Sequence, residues 1–373
     1  MNGHGISGAE QQRCLEDVSV LELGNGVAAG FCALILARLG ARVTKIPTAY
    51  DAGVRHESGP EALRANAQAL YLDDGKEVLE TSDQAAAIAD LMPHTDVVIR
   101  GSERASGDVG SFREEYDFLR PQQPGRLIYL ALTPFGTVGP AASWHGGDLN
   151  AQALTGWTSV TGMPDEAPLG IGYGIGGMLH GLHASSAVLA ALLASGSGEF
   201  VDVAESEALA ASISFFSSIY KWAQIPMVRA GHRAPGCAGR YPQTVFPCKD
   251  GWVSVICRSD DQWDRFVEMI GSPEWAAEPR YRDFYAMAVD YPDEVDALVA
   301  PWFVEHTREE IVTRARELRV PLAPVRGVDE VLDDDIQLEH RGFFKTVRHG
   351  TGSVRVPGLP VLWQKSRLPQ SAE

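Results

Sequence analysis

His180 and His183 stand three positions apart in a run of small and apolar residues at 178–193, a spacing that puts both on one face of a helix. Imidazole exchanges a proton near neutral pH, so either histidine is a candidate acid or base; the alternative is a hydrogen-bonded histidine in a core. As metal ligands the pair lacks a third partner in sequence. His232 lies in RAGHRAPGCAG, a loop cluster of Gly, Pro and Arg. Cys237 in the same loop has no base beside it in sequence to activate its thiol. The nearest acids are Asp148, in GGDLN, and Asp165 and Glu166, which sit between Pro164 and Pro168. Asp165 and Glu166 read as solvated turn residues, and Asp148 as the cap of a helix over DLNAQALTG.

The elements that must position these groups follow from periodicity. DVSVLELG (17–24) is a short, apolar, β-branched strand, followed by a glycine turn, an amphipathic run at 30–39 and the strand ARVTKI. That is a β-α-β unit with parallel strands. A helix-like TSDQAAAIADLM, then DVVIR (96–100) and RLIYLAL (126–132), repeats the pattern, so the first 140 residues read as doubly wound. The turn LGNGVAAG lacks the dinucleotide spacing and no acid closes the next strand, which argues against nicotinamide binding. GSGEFVDVAESEALAASISFF gives a turn, a short strand and a helix, and the loop cluster at 229–243 marks a domain boundary. Beyond it come the strand KDGWVSVIC, the helix DDQWDRFVEMIG and the helix TREEIVTRARELR, with Thr307 and Glu310 as a capping box. VPLAPV, a helix over DEVLDDDIQLEH and a β segment VRVPGLPVLW complete the chain.

With 373 residues, two domains are expected. A net charge of -17, from 32 Lys and Arg against 49 Asp and Glu, argues against nucleic acid or an anionic membrane as partner. The five cysteines lack CxxC pairing, which points away from a disulfide frame or zinc site and toward a reduced, cytoplasmic setting. No apolar run approaches the roughly 20 residues that span a bilayer, and residues 1–16 read as a loose tail.

Six segments in order, GVAAGFCALILARLGARVTKI, PGRLIYLALTPFGTVGP, DLNAQALTGWTSVTGMPDEAP, GEFVDVAESEAL, FPCKDGWVSV and VPLAPV, resemble the class III CoA-transferases, which include carnitine, formate and oxalate CoA-transferases and α-methylacyl-CoA racemases. The resemblance implies an α/β fold: a Rossmann-like large domain from both chain ends (17–225 with 325–373), a smaller domain (226–324), and two subunits threaded as linked rings. It implies an acyl-CoA as substrate, with no further cofactor. By the same resemblance the substrate-binding set is Val27 and Ala28, Gly136, the glycine loop with Gly236 and Gly239, and a basic group of Lys45, Arg55, Lys76, Arg100 and Arg104, opposed by Asp73 and Asp74. His232 falls beside the glycine loop, which closes over the site in that family.

In this family an aspartate attacks the thioester and passes through a mixed anhydride. Its G-D-x-x-x-G register falls on Gly176, Gly177 and Gly181, so the aspartate position is Gly177. In the racemase branch a histidine precedes the D-x-N, and here Gly147 stands before Asp148 and Asn150. The expectation is therefore an enzyme on an acyl thioester working by non-covalent acid–base chemistry, with His180 the first candidate and His183, His232 and Asp148 behind it. Two other readings stand beside it: a non-catalytic subunit paired with an aspartate-bearing paralogue, and ordinary CoA transfer by a substitute carboxylate.

Overall fold

The computed structural model describes residues 14–24, 26–47, 67–102, 110–123, 125–172, 174–194, 196, 198–233, 239–349 and 352–362. Six strands form one all-parallel sheet: β1 (Ser19–Gly24), β2 (Arg42–Ile46), β3 (Glu77–Val78), β4 (Val97–Gly101), β5 (Leu127–Thr133) and β6 (Gly198–Ala204). Their order is β3-β2-β1-β4-β5-β6, so the chain winds outward from β1 in one direction and from β4 in the other.

Alternation along each strand assigns its two faces. Val20, Val97, Ile99, Ile128, Leu130 and Leu132 meet α1 (Val27–Arg38) and the helix Ile175–Leu193 on one side. Leu21, Leu23, Val98, Leu127, Tyr129 and Ala131 meet α2 (Gln84–Leu91) and α3 (Gly110–Leu119) on the other. All seven residues of β5 are buried, the mark of a central parallel strand covered on both faces. The helix Ile175–Leu193 has 19 residues and is apolar enough to cross a membrane by length and composition, which departs from the expectation that no such run exists. Its Ala184, Val188 and Ala191 are buried in the sheet's core, the place of an internal helix.

Two compact units share the chain. The first comprises Met1–Trp157, Gly170–Ser214 and Asp335–Glu373; the second comprises Thr158–Leu169 and Phe215–Asp334. The expected boundaries at 225/226 and 324/325 thus move to 214/215 and 334/335. The short stretch 158–169 also belongs to the second unit, because Gly231 N–H donates to Gly162 O at 3.1 Å and Arg229 Nε to Met163 O at 3.0 Å. In the second unit an antiparallel sheet of β7 (Gln243–Cys248), β8 (Gly251–Ile256) and β9 (Leu322–Pro324) lies on a core that includes Trp263, Phe266 and Phe303, none measurably exposed. Burying each such ring contributes roughly 1.5–3 kcal/mol. The Thr307 capping box forms, with Thr307 N–H donating to Glu310 Oε2 at 2.8 Å and Glu310 N–H to Thr307 Oγ1 at 3.3 Å.

Candidate active site

A cleft of about 900 Å³ opens in the first unit at the carboxyl ends of β4 and β5, where Gly101 and Thr133 line it beside the first residues of α1. This is the switch point of the sheet, where crossovers leave β1 and β4 in opposite directions and leave a crevice. The local sequence is suited to that path. Gly24, at φ +91°, pairs with Gly101, and a side chain there would collide with the Gly101 carbonyl. Gly26, at φ +113°, then starts α1, and Val27 and Ala28 line the cleft.

Two further helices begin at the rim: α4 (Asp148–Leu154) and α5 (Ile175–Leu193). Helix α5 packs on α1 through glycine. A Cβ on Gly181 would lie 2.5 Å from Ala28 O, and one on Gly177 would lie 3.0 Å from Val27 Cβ. Gly177 is buried, lines the cleft and presents only backbone to it.

The carboxylates come from elsewhere. A Cβ on Gly176 would overlap Asp148 Oδ1 and lie 3.2 Å from Glu205 Oε1, so both acids converge over the first turn of α5. Asp148 is the first residue of α4, not its cap; Gly147 caps, and its N–H donates to Asn150 Oδ1 at 3.2 Å. The side chain of Asp148 is thereby freed for the cleft. Gln152, 2% exposed, fixes it: its Nε2 donates to Asp148 Oδ1 at 2.7 Å and to Ile171 O at 2.9 Å, while its Oε1 accepts from Ile171 N–H at 2.8 Å. Glu205 opens α6 (Glu205–Ser212) directly after β6 and is 6% exposed.

His180 also lines the cleft but is 3% exposed, and its Nε2 donates to Val203 O at 2.7 Å. Burial pushes its pKa down to about 4, so the imidazole is neutral at pH 7 and a feeble base. His183 is exposed and does not line the cleft. His232 is in the second unit, exposed, with Nε2 3.4 Å from Asp296 Oδ2; that carboxylate also takes Arg233 at 2.5 Å and, on Oδ1, the Tyr241 hydroxyl at 2.7 Å.

The described members of the expected basic set, Lys45, Lys76 and Arg100, each pair with a carboxylate of the protein. Lys76 Nζ, fully buried, pairs with Glu22 Oε2 at 2.6 Å and donates to Gly30 O at 2.9 Å. Lys45 Nζ pairs with Asp73 Oδ1 at 2.9 Å and lies 3.8 Å from Glu22 Oε1, and Arg38 holds Asp74 at 3.1 Å. Asp73 and Asp74, expected to oppose a phosphate, are thus neutralised by lysine and arginine. Arg100 Nε lies 3.2 Å from Glu115 Oε2. Gly136, at φ +90°, makes the turn after β5, its N–H donating to Thr133 Oγ1 at 2.8 Å, and does not itself line the cleft. Gly239, at φ +65°, packs on Tyr285 in the second unit. Arg55, Arg104 and Gly236 lie outside the described residues.

Glu205 is the cleft residue that sequence reasoning missed. The one available signal was an acid at the junction of a parallel strand with its following helix, the end of an α/β sheet where ligands sit.

Among known proteins, the chain is 28% identical over 343 residues to the succinyl-CoA–D-citramalate CoA-transferase of Chloroflexus aurantiacus, covering 88% of this chain and 82% of that one. It is 26% identical over 361 residues to the succinyl-CoA–L-malate CoA-transferase alpha subunit of the same organism, covering 94% and 83%. A CAIB/BAIF family protein from Brucella suis shares the fold at a TM-score of 0.81 and 24% identity, over 95% of this chain and 94% of that one. The model of CoA-transferase family III matches residues 15–372, and the chain belongs to that family.

Proposed function

We propose that this protein acts on an acyl-CoA, or a related acyl thioester, held in the switch-point cleft, by non-covalent acid–base chemistry at the carbon next to the thioester carbonyl. The observation that carries this reading is the Asp148 carboxylate, anchored by Gln152 over the first turn of α5, beside a Gly177 that has no side chain with which to attack. In this reading Asp148 takes the α-proton and returns one on the same face. The first backbone N–H groups of α5 point out of the helix end, where they favour negative charge developing on the thioester oxygen. His180, neutral and bonded to Val203 O, serves to hold α5 against β6.

The test is deuterium uptake. Incubated with acyl-CoA in heavy water, the wild-type protein should introduce deuterium at the α-carbon, read by mass spectrometry, and Asp148→Asn should lose roughly 10²- to 10⁴-fold of that rate. No uptake by the wild type would end the reading. A borohydride- or hydroxylamine-trapped acyl adduct on Asp148 or Glu205 would instead establish CoA transfer by a substitute carboxylate.

The likeness to one subunit of a two-subunit CoA-transferase favours a second reading, in which this chain completes the site of an aspartate-bearing partner. In that case uptake or transfer would appear only after mixing with such a relative, and Asp148→Asn would leave it unchanged.

A further inference from the structure

Asp148 and Gln152 stand four positions apart in α4, so they share one face of that helix. We infer that Gln152 is a positioning residue for the proton transfer: it holds Oδ1 of Asp148 over the first turn of α5 and leaves Oδ2 as the oxygen that exchanges the proton. This role presupposes Asp148 as the base of the acid–base reading above.

Gln152 is 2% exposed, and both N–H groups of its amide are used. Nε2 donates to Ile171 O at 2.9 Å and to Asp148 Oδ1 at 2.7 Å, while Oε1 accepts from Ile171 N–H at 2.8 Å. Turning the amide over would set Oε1 against both Ile171 O and the Asp148 carboxylate, so the network admits one orientation. Tying α4 to Ile171 needs only one of the two N–H groups. The other would be a buried donor without an acceptor were Asp148 elsewhere, which distinguishes this side chain from a plain helix-to-loop tie. Gly170 lets the Ile171 backbone come so close, because a Cβ there would lie 2.5 Å from Leu149 Cδ1 and 3.5 Å from Gln152 Oε1. The other side of Oδ1 is closed by Gly176, where a Cβ would overlap Oδ1 and lie 2.9 Å from Asp148 Cγ, with Oδ2 farther off than 3.2 Å. Oδ2 has no hydrogen bond or ion pair among the described residues. A base must stand within hydrogen-bond reach of the proton it removes, and a misplacement of about 1 Å can cost roughly 10²-fold in rate. Gln152 lines the cleft, but its amide is committed to protein partners, so its loss should fall on kcat and not on KM.

Deuterium uptake into butyryl-CoA in heavy water, with kcat and KM measured separately on the full-length protein, tests this role. Gln152→Leu should lower kcat by roughly 10- to 100-fold and leave KM within about twofold of wild type. Gly176→Ala, which presses on Oδ1 from the opposite side, should do the same. It meets the end of a side chain and not backbone, so it carries the test even where Gln152→Leu fails to fold. In an Asp148→Asn background, Gln152→Leu should change the residual rate by less than about twofold, because its effect passes through Asp148. A further loss of about tenfold in that background would mark a general structural role and overturn the inference. Wild-type kcat in either single variant, with wild-type circular dichroism, or a loss confined to KM, overturns it as well while leaving the acid–base reading standing. No uptake by the wild-type protein defeats that reading, and the positioning role with it.

Discussion

Gly177→Asp restores a carboxylate at the position where the family resemblance expects one, and the packing of α5 on α1 sets its cost. The new Cβ would lie 3.0 Å from Val27 Cβ, 3.4 Å from Val27 Cγ1 and 3.6 Å from Ala28 N. The first distance is tighter than nearly all side-chain contacts, so Val27 or the helix must give by a few tenths of an ångström, and overpacking of that kind costs roughly 1–3 kcal/mol. Two effects oppose it. Replacing glycine in a helix recovers a few tenths of a kcal/mol, and an acid in the first turn of α5 recovers about 0.3–1 kcal/mol. The net expectation is a loss of about 0–2 kcal/mol for the single change. Val27→Gly moves the gap to the facing helix, so the double variant should be more stable than the sum of the singles by about 1–2 kcal/mol, a coupling within the range seen for contacting residues. Urea unfolding of the four proteins, followed by circular dichroism, measures it. Additivity within about 0.3 kcal/mol would refute the close contact of α5 with α1 on which the argument stands. The same double variant, given acyl-CoA and then borohydride, should carry label on its 177-containing peptide where the wild type carries none there.

Two further substitutions test the interior. His180, with a folded pKa near 4 against an ordinary value of 6.5, stays neutral in the fold where the unfolded chain takes up a proton, so stability is full above pH 6.5 and falls as pH drops toward 4. That linkage is worth up to about 3 kcal/mol; unfolding measured from pH 7 to pH 4 should show a shallower decline in His180→Gln, and parallel curves would contradict the assignment. Lys76→Met leaves Glu22, whose side chain is 2% exposed, with Lys45 at 3.8 Å as its remaining cation among the described residues, and should cost about 3–5 kcal/mol. Combining it with Glu22→Gln should recover much of that loss in denaturant titrations, whereas a loss below about 1 kcal/mol for Lys76→Met alone would mean that the pair is not the closed ion pair described.

The sheet was legible because its evidence is local. DVSVLELG, DVVIR and RLIYLAL read as apolar strands for the reason that they are buried on both faces as β1, β4 and β5. The Thr307 capping box was equally plain, since all its partners lie within one turn. Charge was not legible, because its meaning depends on what the fold brings alongside. Lys45 and Lys76 look alike in sequence whether they await a phosphate or neutralise a carboxylate. Parallel pairing of β1 with β2, and of β2 with β3, carries Glu22 to Lys76 across 54 positions and Asp73 to Lys45 across 28, and only there do the lysines become structural. The same holds in the cleft with the opposite result. Asp148 reads as a cap and Glu205 as one acid in a helix, yet a glycine at 176 leaves the space in which they meet. The spacing that drew attention to His180 and His183 was helical periodicity, which says that two residues share a face and nothing about whether that face is solvent, core or site. His180 is held by a strand carbonyl and His183 is exposed, whereas Asp148 and Glu205, which share no suggestive spacing, both line the cleft.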